Sequence, residues 1–102
     1  MQIGRVIGTV VATAKEPALE GRTFLVVQFL DLKAQPTKSF VVAVDAVGAG
    51  TGEVVLVATG SSARQTHATR DRPSDAVIMA IVDSWDVGGV VQWRKNDDAG
   101  DG

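Results

Sequence analysis

Residues 24–30 read FLVVQFL, and this stretch decides the fold because six of its seven side chains are apolar. The run is too short for an ordinary helix and is rich in β-branched and aromatic residues, so it predicts a strand covered on both faces. Loops flank it on either side. Residues 15–21 contain Pro17 and Gly21, and residues 31–38 contain Pro36 among several polar side chains.

The segments around this strand predict a small barrel. Residues 2–13 form a strand without helical periodicity, and Gly4 and Gly8 on one face fit a tightly coiled barrel strand. Residues 60–66, GSSARQT, predict one or two helical turns behind a serine cap. Further strands are predicted over residues 40–44, 53–58 and 76–82, followed by a short hairpin over 85–94. Five short strands with a brief helical element are typical of a five-stranded OB-like β-barrel.

Length and composition narrow the class of protein. The 102 residues predict one domain over residues 1–94 and a solvated acidic tail over 95–102. Ten Lys and Arg against 12 Asp and Glu give a net charge of -2, which argues against binding nucleic acid or an anionic membrane by bulk charge. Cysteine is absent, which excludes disulfides, thiolate nucleophiles and cysteine metal sites. With no predicted membrane span or signal peptide, we expect a cytoplasmic protein.

Several strands are predicted to be apolar on both faces. Their combined apolar surface exceeds what a single small core can bury. A chain of this size buries only about 65% of the surface that its unfolded form exposes. Phe24, Phe29 and Phe40 lie inside apolar runs and are interpreted as core. The surplus apolar surface calls for a partner, and copies of the same chain are the usual solution, so we expect an oligomer.

The glycine-rich stretch 45–53 reads DAVGAGTGE and invites comparison with a phosphate-binding loop. A strand rather than a helix follows it, its flanking charges are Asp45 and Glu53, and no lysine lies where a P-loop needs one. A tight turn between strands is the favoured interpretation. Glycines would also let several copies of the loop converge on a symmetry axis.

No residue pattern predicts catalysis, a metal or a cofactor. His67 lies near Arg64 and Arg70 without a catalytic or metal-binding spacing and is interpreted as a solvated bystander. Arg64 and Gln65 are either interface anchors or simply exposed. Four carboxylates at strand ends fit turn or cap hydrogen bonds better than an acid–base pair: Asp45, Glu53, Asp75 and Asp83.

An OB-like barrel also raises single-stranded nucleic-acid binding, which remains the alternative function. Such sites need aromatic side chains on a strand face and a basic groove. Aromatic residues make up 5% of the chain and tyrosine is absent. Composition therefore speaks against this alternative, and a small-molecule enzyme, with no catalytic set to name, ranks third.

Three ordered motifs resemble the EutN/CcmL family, the pentameric shell proteins of bacterial microcompartments. They are the glycine-rich stretch 45–53, residues 60–64 (GSSAR), and Pro73 with residues 75–76 and 81–83. The opening strand over residues 4–13 is also similar, and the resemblance runs from Met1 to about Val87. It departs from the family at Ser74, in residues 32–38 and beyond Trp93.

The resemblance implies a cyclic homopentamer that caps the five-fold vertices of a polyhedral shell, beside hexameric and trimeric shell proteins, without catalysis or cofactor. The glycine-rich stretch would then line a pore on the five-fold axis through Gly48, Ala49, Gly50, Thr51 and Gly52. The residues implied at subunit interfaces, or carrying the family motif, are Ser61, Ser62, Ala63, Arg64, Gln65, Asp75 and Asp83.

Overall fold

The computed structural model describes residues 1–13, 17, 21–60 and 76–95, which form a closed barrel and a separate hairpin. The strands are β1 (Gln2–Val10), β2 (Phe24–Leu30), β3 (Pro36–Asp45), β4 (Val54–Thr59), β5 (Ala76–Ile81), β6 (Ser84–Val87) and β7 (Val90–Arg94). The barrel closes in the order β1-β2-β3-β5-β4, so the predicted five-stranded barrel is confirmed. Only the β3–β5 pairing is parallel among the described strands. The predicted helical turn lies outside the described residues apart from Gly60. None of the described helical segments could cross a membrane.

The barrel interior holds the main core. Alternate residues of each strand point inward because successive side chains of a strand face opposite sides. Val6, Val27, Val55, Val57 and Ile78 are fully buried there. A smaller cluster outside the barrel joins Val44, Ala58 and Val77, with Phe24 packed against it.

β1 reaches β2 at a close approach and then changes face at a bulge. A side chain at Gly4 would overlap Val27, so glycine is required there. The register with β2 shifts between Val6 and Gly8, and Gly8 pairs with the outward-facing Val26. The expectation that Gly4 and Gly8 share one face is therefore wrong, because the bulge at Ile7 turns the later part of the strand over.

The single chain covers only one face of β2 fully. Leu25, Val27 and Phe29 are buried, whereas the alternate residues are half-buried, so the prediction of cover on both faces is wrong for the single chain. Phe40 is 55% exposed rather than part of the core, because its register partner Gln28 faces outward. We call Val10, Val26, Phe40 and Val42 the outer apolar face, since β1, β2 and β3 place them on the same outward side.

β3 begins earlier than the sequence predicts. Pro36 pairs with Leu30 as the first residue of the strand, a position where its missing N–H is tolerated. The connection is therefore a short turn over residues 31–35, where the Asp31 carboxylate accepts from the Lys33 amide at 2.8 Å and the Gln35 amide at 3.0 Å. These hydrogen bonds stabilise the turn, whereas Pro36 lies in the strand that follows it.

The predicted C-terminal hairpin is confirmed. Gly88 and Gly89 both adopt positive φ, of 60° and 86°, as a two-residue type I′ turn requires. Trp85 and Trp93 face each other across the strands with ring centroids 5.4 Å apart. The Trp85 indole donates to the Leu32 carbonyl at 2.8 Å, which ties the hairpin to the turn between β2 and β3.

Candidate functional site

Residues 46–52, between Asp45 at the end of β3 and Glu53 just before β4, are called the glycine loop. Asp45 closes its entry, because one carboxylate oxygen accepts from the Val47 and Gly48 amides, each at 3.0 Å. Gly48 has φ 78°, a conformation that glycine adopts without steric cost. The entry is thus a side-chain-stabilised turn, as predicted for a carboxylate at a strand end.

Glu53 closes the exit of the glycine loop. Its Oε1 accepts from the Gly50 amide at 2.8 Å and its Oε2 lies 3.1 Å from Lys95 Nζ. The Glu53 amide in turn donates to the Gly50 carbonyl at 3.1 Å. The hydrogen bond from Gly50, followed by the interaction with Lys95, holds the pKa of Glu53 below its ordinary value, and desolvation opposes this.

β1 fixes the base of the loop to the barrel. The Gly52 amide donates to the Val6 carbonyl at 2.7 Å, and the Val6 amide donates to the Glu53 carbonyl at 2.9 Å. Arg5 adds a bond from Nη1 to the Gly52 carbonyl at 2.9 Å. The loop therefore leaves the barrel in one defined direction.

The loop exposes small residues rather than a chemical group. Of the five residues that the resemblance places at a pore, Gly48, Gly50, Thr51 and Gly52 are exposed, while Ala49 is half-buried against the barrel core. β4 follows the loop, as the interpretation as a connection between strands requires, and carboxylates close both its ends. The connection spans residues 46–53 and joins strands that β5 separates in the barrel, so it is a longer loop rather than a single tight turn. Within the described ranges, no group of three or more His, Cys, Asp or Glu side chains could hold a metal ion.

The other predicted site residues are mostly beyond the described ranges. Asp83 is exposed between β5 and β6, and its carbonyl accepts from the Lys95 amide at 2.9 Å. Those outside the described residues are Ser61, Ser62, Ala63, Arg64, Gln65, His67 and Asp75. Sequence reasoning missed Arg5 and Lys95, whose contacts with Gly52 and Glu53 span 47 and 42 residues. No local pattern signals such distant pairs.

The outer apolar face is the second feature of the site. Phe40 and Val42, 55% and 50% exposed, lie on β3, the strand that leads into the glycine loop. Gly8, Val26 and Val42 are register partners across three strands. A surface that contacted this face would therefore extend along β3 toward the loop.

Comparisons with known proteins agree with this architecture. The family model described as "Ethanolamine utilisation protein EutN/carboxysome" matches residues 1–83. The carboxysome shell vertex protein CcmL of Synechocystis is 49% identical over 98 residues, which cover 96% of this chain and 98% of that protein. The structure of Gloeobacter violaceus CcmL superposes with a TM-score of 0.90 at 46% identity, covering 95% of this chain and 100% of that one. The GrpN pentameric microcompartment shell protein of Rhodospirillum rubrum gives 0.78 at 48% identity, covering 85% and 99%.

The barrel and these likenesses define the class as structural shell proteins of bacterial microcompartments rather than enzymes. The chain belongs to the EutN/CcmL family. The family resemblance seen in the sequence is thereby confirmed, as is the expected structural role in a microcompartment shell. The nucleic-acid alternative has no support among these relatives, and the structure stacks both tryptophans against each other.

Proposed function

We propose that the chain forms a homopentamer that caps the five-fold vertices of a microcompartment shell. The outer apolar face carries this proposal, because Phe40 and Val42 remain half exposed or more after the barrel has closed. Contiguous exposed apolar surface marks an interaction site. A second copy is the fitting occupant, since the similar GrpN structure is described as pentameric.

A ring needs two different faces on each subunit. A heterologous contact closes into a cyclic oligomer when its rotation matches the symmetry. The outer apolar face supplies one such face. β3 joins it directly to the glycine loop, so copies that meet along this strand bring their loops toward one axis.

In this assembly the glycine loop lines a narrow pore on the five-fold axis. Small exposed residues at Gly48, Gly50, Thr51 and Gly52 support this role, because several chains must pass close to one another there. Ala49 contributes backbone only, since its side chain faces the barrel core. Asp45 and Glu53 keep each copy of the loop in the same conformation.

The finer partners follow from the family alone. The pentamer lies in the shell of a cytoplasmic microcompartment and abuts hexameric and trimeric shell proteins. Asp83 and the residues 61–65 and 75 contribute to subunit contacts. The contact with hexameric and trimeric shell proteins is tested by mixing them with the purified chain and measuring complex formation by sedimentation.

Native mass spectrometry of the full chain tests the proposal directly. A mass of five chains of 10.6 kDa each supports it, and a stable monomer overturns it. A salt-sensitive shift of an oligonucleotide in the same preparation would instead support the nucleic-acid alternative.

Gly50 gives the sharper test of the axial position. An added Cβ would lie 3.5 Å from Glu53 Oε1, an ordinary contact, so the single chain accepts a side chain there. Gly50→Ala should assemble, whereas Gly50→Trp should weaken the pentamer or close its aperture. An unchanged pentamer with an open aperture in Gly50→Trp would remove the loop from the axis. Gly48→Ala is a poorer probe, because positive φ strains any side chain at that position.

A further inference from the structure

Glu53 joins the C-terminal hairpin to the glycine loop through one carboxylate. Glu53 Oε2 lies 3.1 Å from Nζ of Lys95, the residue directly after β7. Glu53 Oε1 accepts a hydrogen bond from the Gly50 amide at 2.8 Å. The Lys95 ammonium, just beyond the end of β7, thus contacts the same Glu53 carboxylate that binds the Gly50 amide in the glycine loop.

The hairpin fixes where Lys95 lies. The Lys95 amide donates to the Asp83 carbonyl at 2.9 Å, which closes the hairpin at its open end. Trp93 is 9% exposed and stacks on the half-buried Trp85, so the strand that ends just before Lys95 is anchored by an aromatic pair. The hairpin therefore places the backbone of Lys95 within reach of Glu53.

Arg5 makes a second connection between the same two elements. Its guanidinium lies 6.0 Å from the Trp93 ring centroid, within the range of a cation–π contact. It also donates to the Gly52 carbonyl at 2.9 Å. Hairpin and loop thus meet twice, at Gly50 through Glu53 and at Gly52 through Arg5.

We propose that Lys95 and Arg5 are positioning residues through which the hairpin sets the conformation of the glycine loop. Lys95 orients the Glu53 carboxylate, and the carboxylate holds the Gly50 amide. The consequence for the pore rests on the proposed function, because it requires the loop to face the five-fold axis. The coupling itself is a property of the single chain.

Because the ion pair is partly exposed, its effect on the conformation of the glycine loop is modest. The Lys95 and Glu53 side chains are 44% and 27% exposed, so solvent and salt screen their attraction. Exposed pairs of this kind change an equilibrium by about two- to fivefold. Loss of Lys95 should therefore raise the population of loop conformations in which the Gly50 amide is unbonded by about that factor.

Amide hydrogen exchange at Gly50 measures this population in the assembled protein. Lys95→Met removes the charge and keeps the length of the side chain, and should accelerate Gly50 exchange about two- to fivefold. Lys95→Arg restores a cation and should return exchange close to that of the natural chain. Lys33→Met is the matched control, since Lys33 lies in the exposed turn between β2 and β3 and should leave Gly50 unchanged.

Salt separates an electrostatic link from general loosening. Added sodium chloride should accelerate Gly50 exchange in the natural chain and have little effect in Lys95→Met, which has already lost the pair. Equal Gly50 exchange in the natural chain and Lys95→Met overturns the proposal. So does a rise in Lys95→Met that spreads to the barrel amides of Val27 and Val55, which belong to the fully buried core. Native mass, recorded on the same samples, reports separately whether the pentamer exists.

Discussion

Gly4 of β1 lies so close to the Val27 side chain of β2 that any side chain at Gly4 would overlap it. The Gln28 carbonyl oxygen lies 3.0 Å from the position that a Cβ at Gly4 would occupy. Both neighbours belong to the barrel wall and Val27 is fully buried, so neither has free space to move into. The absence of a side chain at Gly4 is therefore a condition of barrel closure.

Gly4→Ala should lower the free energy of unfolding by about 1–3 kcal/mol, the usual cost of overpacking a close-packed interior. Urea denaturation followed by tryptophan fluorescence measures the change. Protein concentration must be held constant, because the apparent stability of an oligomer depends on it.

Gly8→Ala on the same strand is the control. No atom lies within 4 Å of the added Cβ, and Gly8 is not among the positive-φ glycines. Its free energy of unfolding should stay within about 1 kcal/mol of that of the natural chain. Equal losses in both variants would show that the close approach of Gly4 to Val27 does not account for the effect.

A second prediction concerns the entry to the glycine loop. Asp45→Ala leaves the Val47 and Gly48 amides without their common acceptor and should cost about 1 kcal/mol of unfolding free energy. Asp45→Asn keeps a side-chain oxygen and should lose less. Thermal unfolding of the two variants side by side provides the comparison. Asparagine as damaging as alanine would mean that the charge, not the acceptor, holds the turn.

Much of this architecture was predictable from local patterns. The run FLVVQFL, the glycines of β1 and the Gly88–Gly89 turn each constrain their own segment, and together they specify a barrel and a hairpin. The carboxylates of Asp45 and Glu53 were likewise predictable as turn acceptors, because they stand at strand ends beside glycines.

The remaining features depend on register between distant strands. Phe40 faces outward because of its pairing with Gln28, and its apolar neighbours in sequence give no sign of that. The bulge at Ile7 places Gly8 on the opposite face of β1 from Gly4, and the local sequence contains no signal of this bulge. The contact of Lys95 with Glu53 arises only when the hairpin docks beside β1 and β4, so the sequence alone placed Lys95 in the tail.

The pKa of Glu53 gives a third prediction, on the pH dependence of stability. Folding lowers this pKa from the ordinary value of 4.5, so the unfolded chain binds the proton more readily than the folded chain does. The stabilisation is therefore fully present above about pH 4.5 and is lost as the pH falls through the lower, folded value. Glu53→Gln does not titrate at this position.

Unfolding midpoints measured between pH 7 and the acid limit of solubility should fall less steeply for Glu53→Gln than for the natural chain. Lys95→Met should show an intermediate slope, because the Gly50 hydrogen bond, the larger cause of the lowered pKa, remains. Parallel curves for all three proteins would assign the acid sensitivity to other carboxylates.

A fourth prediction concerns the outer apolar face. Phe40→Ser should weaken subunit association by about 30-fold or more, since truncating an aromatic side chain at the centre of an interface costs about 2 kcal/mol or more. The barrel itself should survive, because Phe40 is 55% exposed in the single chain and takes no part in either core cluster. Leu32→Ser removes a side chain that is 60% exposed in the turn between β2 and β3 and serves as the matched control. Dilution followed by mass photometry or sedimentation should show that Phe40→Ser dissociates at concentrations where Leu32→Ser and the natural chain remain assembled. If Phe40→Ser remains assembled with them, the contact between copies lies elsewhere on the barrel, and the exposed face of β3 is then free to meet a different shell protein.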